Sequence, residues 1–303
     1  MSSDLFSKGC LVQLETSAWT ARAKVSSKAL LNGDHADIDP AYVNASKRLV
    51  DGESLRSVES IRGEARAWLA TQSLPFPLDG AVFVPSNQIE RIDAKLAEYR
   101  AKYEEATDAF ASDYAVLREA ARARLGSLYS ETDYPVEIRR RFSFSWRFLS
   151  LAPASEAQLV NPKLVAQERE KFQRLMAEAA EGAVTELRTR FAACVDHVVE
   201  RLAPTDDGKP RVFRESLVGN LKDFLDGFAG LNVCDDRQLA TLVERARATI
   251  DGVDAPALRS SEGLRGQVAA RMADVSAALD GMIVDRPSRK VRLAPSAASP
   301  EAS

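Results

Sequence analysis

The sequence predicts a mainly α-helical protein: a long antiparallel coiled-coil helical hairpin plus a C-terminal helical bundle, with a small two- or three-stranded β element. Three observations predict it. Apolar residues recur at spacings of three and four from Ile89 to Leu128 and again from Leu164 to Leu202, the signature of a helix with one apolar stripe. Three shorter segments beyond residue 210 repeat that period. Against this background, "RRRFSFSWRFLSLAP" (139–153) places Phe142, Phe144, Trp146 and Phe148 on every second residue, which is the period of a strand.

In chain order, "GCLVQLETS" is short, apolar and bounded by Gly9, and predicts a strand over about 9–15. From Ser17, the spacing of Trp19, Ala23 and Leu30 predicts a short helix. "NGDHADIDP" then reads as a loop, and Leu55, Val58, Ile61, Ala65, Trp68 and Leu69 form a helical stripe. "SLPFPLDGAVFVPS" carries three prolines and Asp79-Gly80 between Phe76/Leu78 and Val82/Val84, which predicts a small hairpin or tight apolar loop. Ser86 is placed to cap the long helix that follows, with Glu90 adding acid to its first turn.

That helix carries Ile92, Leu96, Tyr99, Tyr103, Phe110, Tyr114, Leu117, Ala121 and Leu125 on its stripe. Over about forty residues it is a rod of roughly 60 Å, longer than a compact globule buries, so its seam needs a partner. The second rod supplies one. Asn161 caps it, Pro162 sits at its first position, and Leu164, Phe172, Leu175, Ala179, Ala183, Leu187, Phe191, Cys194, Val198 and Leu202 continue the stripe. An intramolecular hairpin and a homodimer both satisfy the two seams. The later helices are expected at about 212–229, 236–250 (capped by Asp235 or Asp236) and 256–282. The organisation is therefore 1–85 (strand, short helices, Pro-rich hairpin), 86–203 (helical hairpin interrupted by the aromatic strand at 141–151), 204–284 (bundle) and 285–303 (basic, then disordered tail).

Composition narrows the function classes. A hydrophobic content of 45% suits a folded core, and 41 basic against 44 acidic residues give a net charge of -3, without the global excess of a dedicated nucleic-acid binder. A start lacking a basic-then-apolar leader, and no run of about eighteen apolar residues, predict a cytoplasmic protein without a membrane span. Cys10, Cys194 and Cys234 are scattered and read as reduced thiols. Cys194 and His197 lie one helical turn apart but read as a small buried thiol beside a surface imidazole.

Little points to catalysis. There is no GxxxxGK[ST] phosphate loop, GxGxxG, GxSxG, HExxH or Glu-x-x-His. Asp34, His35, Asp37 and Asp39 share one loop but lack the glycine turn and distal glutamate of a calcium site, so a solvated turn is expected. No catalytic residue, metal or cofactor is expected, and an enzyme is the minority reading.

Two segments could touch a partner. The aromatic strand flanked by Arg139, Arg140 and Arg141, with Arg147 inside it, has the residue types of a single-strand stacking platform. Leaving four aromatics in water would forgo about 1.5–3 kcal/mol each where helices could cover them, so a buried strand paired with "CLVQLET" is favoured. The second segment, Arg286, Arg289, Lys290 and Arg292 in "DRPSRKVRL", could meet phosphates or an acidic surface.

Taken together, "AWTAR", "LPFPLDGAVFVP", "RRRFSFSWRFLSLAP", "RVFRESLVGNLKDFLDGF", "LNVCDD", "LRSSEGLRGQVAARM" and "MIVDRPSRKVRL" resemble a domain of unknown function found in bacteria and their phages, over about residues 5–293. The resemblance carries over no active site. It implies a partner of a MoxR-type AAA ATPase, whose genes often neighbour the family's, on a phage or mobile element in some cases. The function expected is a non-enzymatic adaptor binding an AAA ATPase or itself as a homo-oligomer. Nucleic-acid binding through the arginine-flanked strand and basic tail is the alternative.

Overall fold

The computed structural model describes residues 5–26, 39, 42–153, 161–203 and 215–284. These contain β1 (Gly9–Ser17), β2 (Arg22–Val25), β3 (Ala45–Arg48), α1 (Arg56–Gln72), β4 (Leu74–Pro75), β5 (Ala81–Pro85), α2 (Ile89–Leu125), β6 (Ser143–Leu149), α3 (Pro162–Leu202), α4 (Glu215–Leu231), α5 (Arg237–Ile250), α6 (Ala255–Ser260) and α7 (Glu262–Val284). The protein is mainly helical with a small antiparallel β component, as the periodicities predicted. It divides into two compact units, Met1–Glu186 with Ala229–Asp235, and Leu187–Phe228 with Asp236–Ser303.

The first unit is organised by a four-stranded antiparallel sheet in the order β4-β5-β1-β6. The sheet is larger than the two or three strands expected, because the Pro-rich hairpin does not stand alone: β5 pairs with β1 from Gly9↔Pro85 to Gln13↔Ala81. β1 also pairs with β6, from Leu11↔Leu149 to Ser17↔Ser143. Alternation along the strands puts Val12, Val84 and Phe144 on one face, where they pack with Val58, Ala65 and Leu69 of α1 and Ile92, Leu96 and Tyr103 of α2. Gly9 is dictated by this pairing: a Cβ there would lie 2.2 Å from the Val84 carbonyl oxygen and 2.6 Å from the Phe83 ring.

A second correction concerns the segment after Ser17. Trp19 and Ala23 sit at helical spacing, yet Ala21 adopts φ 50°, a left-handed conformation that ends regular structure at a non-glycine residue. The chain then forms β2, paired with β3 in a separate two-stranded ribbon from Arg22↔Arg48 to Val25↔Ala45. Trp19 instead anchors an aromatic cluster with Phe110, Tyr114 and Tyr134 at ring separations of 5.7–6.3 Å.

The stripe of α2 thus finds its partners close at hand. Its upper half meets α1 and the sheet, and Phe110, Tyr114 and Ala121 meet Trp19, Leu49, Val50, Leu55, Tyr134 and Ile138. A rod of this length is held along its seam by short elements in series, and a second rod is not what these clusters contain. Its ends differ slightly from expectation. Ser86 lies in a 3-10 turn that makes no side-chain cap, so α2 opens at Ile89, and Gly126 at φ 53° closes it. Leu128 falls beyond the helix and is exposed.

The second unit is helical. The C-terminal part of α3 buries Leu187, Phe191, Val195, Val198 and Leu202, and Phe191 stacks on Phe224 of α4 at 5.2 Å. Leu239, Leu242, Val243, Ala246 and Ile250 of α5 are buried, as are Val268, Met272, Val275 and Leu279 of α7. The single last helix expected is two: Ser261 is extended and ends α6, and its hydroxyl accepts the Leu264 N–H at 3.2 Å, starting α7. Asn161 and Asp236 cap α3 and α5 as predicted, accepting the Lys163 and Leu239 N–H groups at 3.0 and 3.1 Å. Among the described residues, no helix is long and apolar enough to cross a membrane.

Candidate interaction surface

The aromatic strand and its arginines lie in the first unit, and their placement follows from the pleat. Phe144, Trp146 and Phe148 share the face of β6 turned to α2, while Ser143, Ser145 and Arg147 point to the opposite, exposed face. Phe144 is buried and lies 5.6 Å from the Tyr103 ring. Phe142, just before the strand, meets Phe110 at 5.6 Å. Trp146 donates its indole N–H to Asp93 Oδ1 at 2.8 Å, and the Arg100 guanidinium sits 5.0 Å from its ring, a cation–π contact. This face is therefore an inner one rather than an open stacking platform: its polar edge atom is hydrogen-bonded and its rings meet α2.

Three of the four arginines stand beside a carboxylate. Arg139 and Arg140 occupy a 3-10 turn, Ile138–Arg141; Arg139 pairs with Asp108 of α2 and Arg140 with Glu137. Arg147 reaches across the ladder to Glu15 of β1 at 2.6 Å. The Arg141 side chain is exposed, and its carbonyl accepts the Ser17 hydroxyl at 3.4 Å. Next to the turn, Val136 is 95% exposed, an unusual position for a β-branched apolar residue. Arg286, Arg289, Lys290 and Arg292 lie outside the described residues, as do Asp34, His35 and Asp37.

Sequence reasoning missed the neighbouring ion pairs. Lys47 of β3, with its side chain 11% exposed, pairs with Asp133 at 2.6 Å and donates to the Leu128 carbonyl. Asp51, Arg124 and Arg48 rim a shallow groove of about 380 Å³ floored by Leu117, Ala121 and Leu125. The Asp51 carboxyl is held below its usual range, first by the Glu53 N–H and then by Arg124. Only the local acid-base alternation of the sequence could have signalled these pairs, and it does not say which partners meet.

In the second unit, Arg188 donates to Asp236 at 2.8 Å and to the Met282 carbonyl at 3.1 Å, tying α3, α5 and α7 together. Burial pushes the Asp236 carboxyl up, but the Arg188 and Leu239 hydrogen bonds outweigh it and hold the carboxyl below its ordinary value. Cys194 is half-buried, which raises its thiol, and His197 is exposed. Cys10 is likewise raised by burial. Among the described residues, no group of three or more His, Cys, Asp or Glu is placed to hold a metal ion.

The surface thus centres on a strand with a covered aromatic face and an exposed Ser/Arg face, in which Arg139, Arg140 and Arg147 each stand beside a carboxylate and Arg141 is exposed. No curated protein matches the chain, and no solved structure does. The model of a family described as a protein of unknown function (DUF3150) matches residues 6–255. With most of its length covered, the chain belongs to the DUF3150 family.

Proposed function

We propose that this protein is a non-enzymatic adaptor that works through protein–protein contacts made by the exposed surface around β6. One observation carries the reading: three of the four strand arginines expected to grip phosphate, Arg139, Arg140 and Arg147, are already opposed by Asp108, Glu137 and Glu15. A nucleic-acid surface draws its affinity from uncompensated cations that displace counterions. Interleaved charges of both signs around an exposed apolar residue such as Val136 match instead the polar rim of a protein interface.

The partner in this reading is a MoxR-type AAA ATPase, as the family resemblance implies, with a phage or mobile element as the source of the gene. The long helices are supports in it, with α2 and α3 paired as an antiparallel coiled coil or set against helices of such an ATPase.

The test is a tagged pull-down from the native host with and without nuclease, followed by reconstitution with the purified ATPase. Co-elution of the two purified proteins at physiological salt, insensitive to nuclease, is the expected outcome. Recovery of nucleic acid alone, lost as salt rises and weakened by changing Arg139, Arg140 and Arg141 to Ala, would overturn it.

A further inference from the structure

The two edges of the four-stranded sheet are treated differently. β4, at one edge, is two residues long, ends in Pro75, and is followed by Pro77. Short length and proline are the usual means of keeping a strand edge from pairing with another chain. β6, at the other edge, runs for seven residues without proline, and its register to β1 advances residue by residue without a bulge. Among the described residues no strand lies beside it. Trp146, Phe148 and Leu149 remain only partly buried.

We propose that β6 pairs antiparallel with β6 of a second copy of this chain, joining two sheets into one eight-stranded sheet across a two-fold axis at Ser145. The sequence of the strand favours this occupant. "FSFSWRF" (142–148) is nearly symmetric about Ser145, so self-pairing sets Phe144 against Trp146, Phe142 against Phe148, Ser143 against Arg147, and Ser145 against itself. Aromatic residues meet aromatic residues on the face shared with α2, which is a favourable cross-strand pairing. No like charges come directly opposite on the other face, and Arg147 keeps Glu15 of its own chain. A register centred on Arg147 would instead oppose two guanidiniums. Self-pairing is independent of the ATPase reading, since a monomeric protein would refute the pairing and leave co-elution with an ATPase untouched.

The experiment uses the full chain. Light scattering coupled to size exclusion is expected to give a dimer. Ser145→Lys places two ammonium groups opposite each other at the axis, while within each chain the new lysine faces Glu15 across the ladder and leaves the fold intact. The dimer dissociation constant should rise by up to about fivefold with an unchanged circular dichroism spectrum. Ser145→Cys should form an intermolecular disulfide under mild oxidation, because directly opposed Cα atoms in an antiparallel pair lie at about 4.5–5.5 Å, within bridging distance. The same oxidation of the unsubstituted protein should give no cross-link. A monomer at tens of micromolar overturns the proposal, as does a dimer that Ser145→Lys leaves unchanged and Ser145→Cys does not cross-link. An extended peptide of another protein occupying β6 would appear as the first of these results.

Discussion

At the residue scale, the positions that decide stability are those where a polar or backbone group has no alternative. Arg188 is one. With 6% of the Asp236 side chain exposed, removing the guanidinium takes from a buried carboxylate the partner that donates to its Oδ2 at 2.8 Å. Arg188→Ala is expected to cost about 3 kcal/mol, read as a shift in the urea midpoint. Replacing both Arg188 and Asp236 by apolar residues of similar size should recover much of that loss, which separates an orphaned charge from lost packing. Glycines supply a sharper contrast. Gly9→Ala forces a methyl group into the Val84 carbonyl and should destabilise by roughly 1–3 kcal/mol. Gly63→Ala on the exposed face of α1 meets nothing within 4 Å and should stabilise by about 0.5–1 kcal/mol. A neutral Gly9→Ala would mean that the close approach of β1 to β5 is wrong.

At the scale of elements, the helices were legible because each buries one stripe of its own sequence. The spacing of Leu239, Leu242, Val243, Ala246 and Ile250 marks the buried set of α5, and Val268, Met272, Val275 and Leu279 of the last stripe are buried while Leu264 and Ile283 are only partly so; Asn161 and Asp236 cap where their hydrogen-bonding chemistry placed them. What sequence could not show was which surfaces meet. A seam on α2 states that something apolar must cover it, and a partner rod, a sheet or a series of short elements all meet that requirement. The ribbon of β2 and β3 was illegible for a related reason: both strands are four residues long and none of their residues is fully buried, so the brief alternation of Arg22-Ala23-Lys24-Val25 does not outweigh the helical spacing of Trp19 and Ala23. The β6 surface was half legible. Strict alternation gave the buried aromatic face, but the carboxylates opposing Arg139 and Arg147 are 31 and 132 residues away. If β6 is the element that fixes α2 to the sheet, Phe144→Ala should cost about 3 kcal/mol by opening a cavity against Tyr103, with the loss seen by both tryptophan fluorescence and circular dichroism. A loss below about 0.5 kcal/mol would place Phe144 in an unpacked surface strand.

At the scale of the whole molecule, a lowered buried carboxyl in the second unit and a raised phenol in the first set limits at opposite ends of the pH range. In the second unit the buried carboxyl of Asp236 is held below its ordinary value. A lowered carboxyl contributes stability above its unfolded pKa and loses it as pH falls through the folded one, so this unit weakens below about pH 4. The other lowered carboxyls, Asp51 and Glu98, sit at exposed positions in the first unit, where screening leaves little energy to lose. In the first unit Tyr134 donates its phenol to the Leu49 carbonyl at 2.9 Å, and burial, followed by Tyr129, Asp133 and Tyr114, pushes that phenol up to about 12. A raised acid contributes stability below its unfolded pKa near 10 and loses it as pH climbs toward 12. The probes separate the two effects, because Trp19, Trp68 and Trp146 all lie in the first unit, whereas helical circular dichroism reports on both. In an acid titration, helical signal should fall before tryptophan emission moves. In an alkaline titration, emission should respond as Tyr134 ionises, with Trp19 only 6.3 Å from its ring. Tyr134→Phe should reduce that alkaline response and leave the part owed to Tyr114, whose raised phenol belongs to a ring 5.7 Å from Trp19, though it costs the bond to Leu49. Acid curves that coincide for the two probes would mean that the units unfold as one, and that the Arg188–Asp236 lock does not set the acid limit.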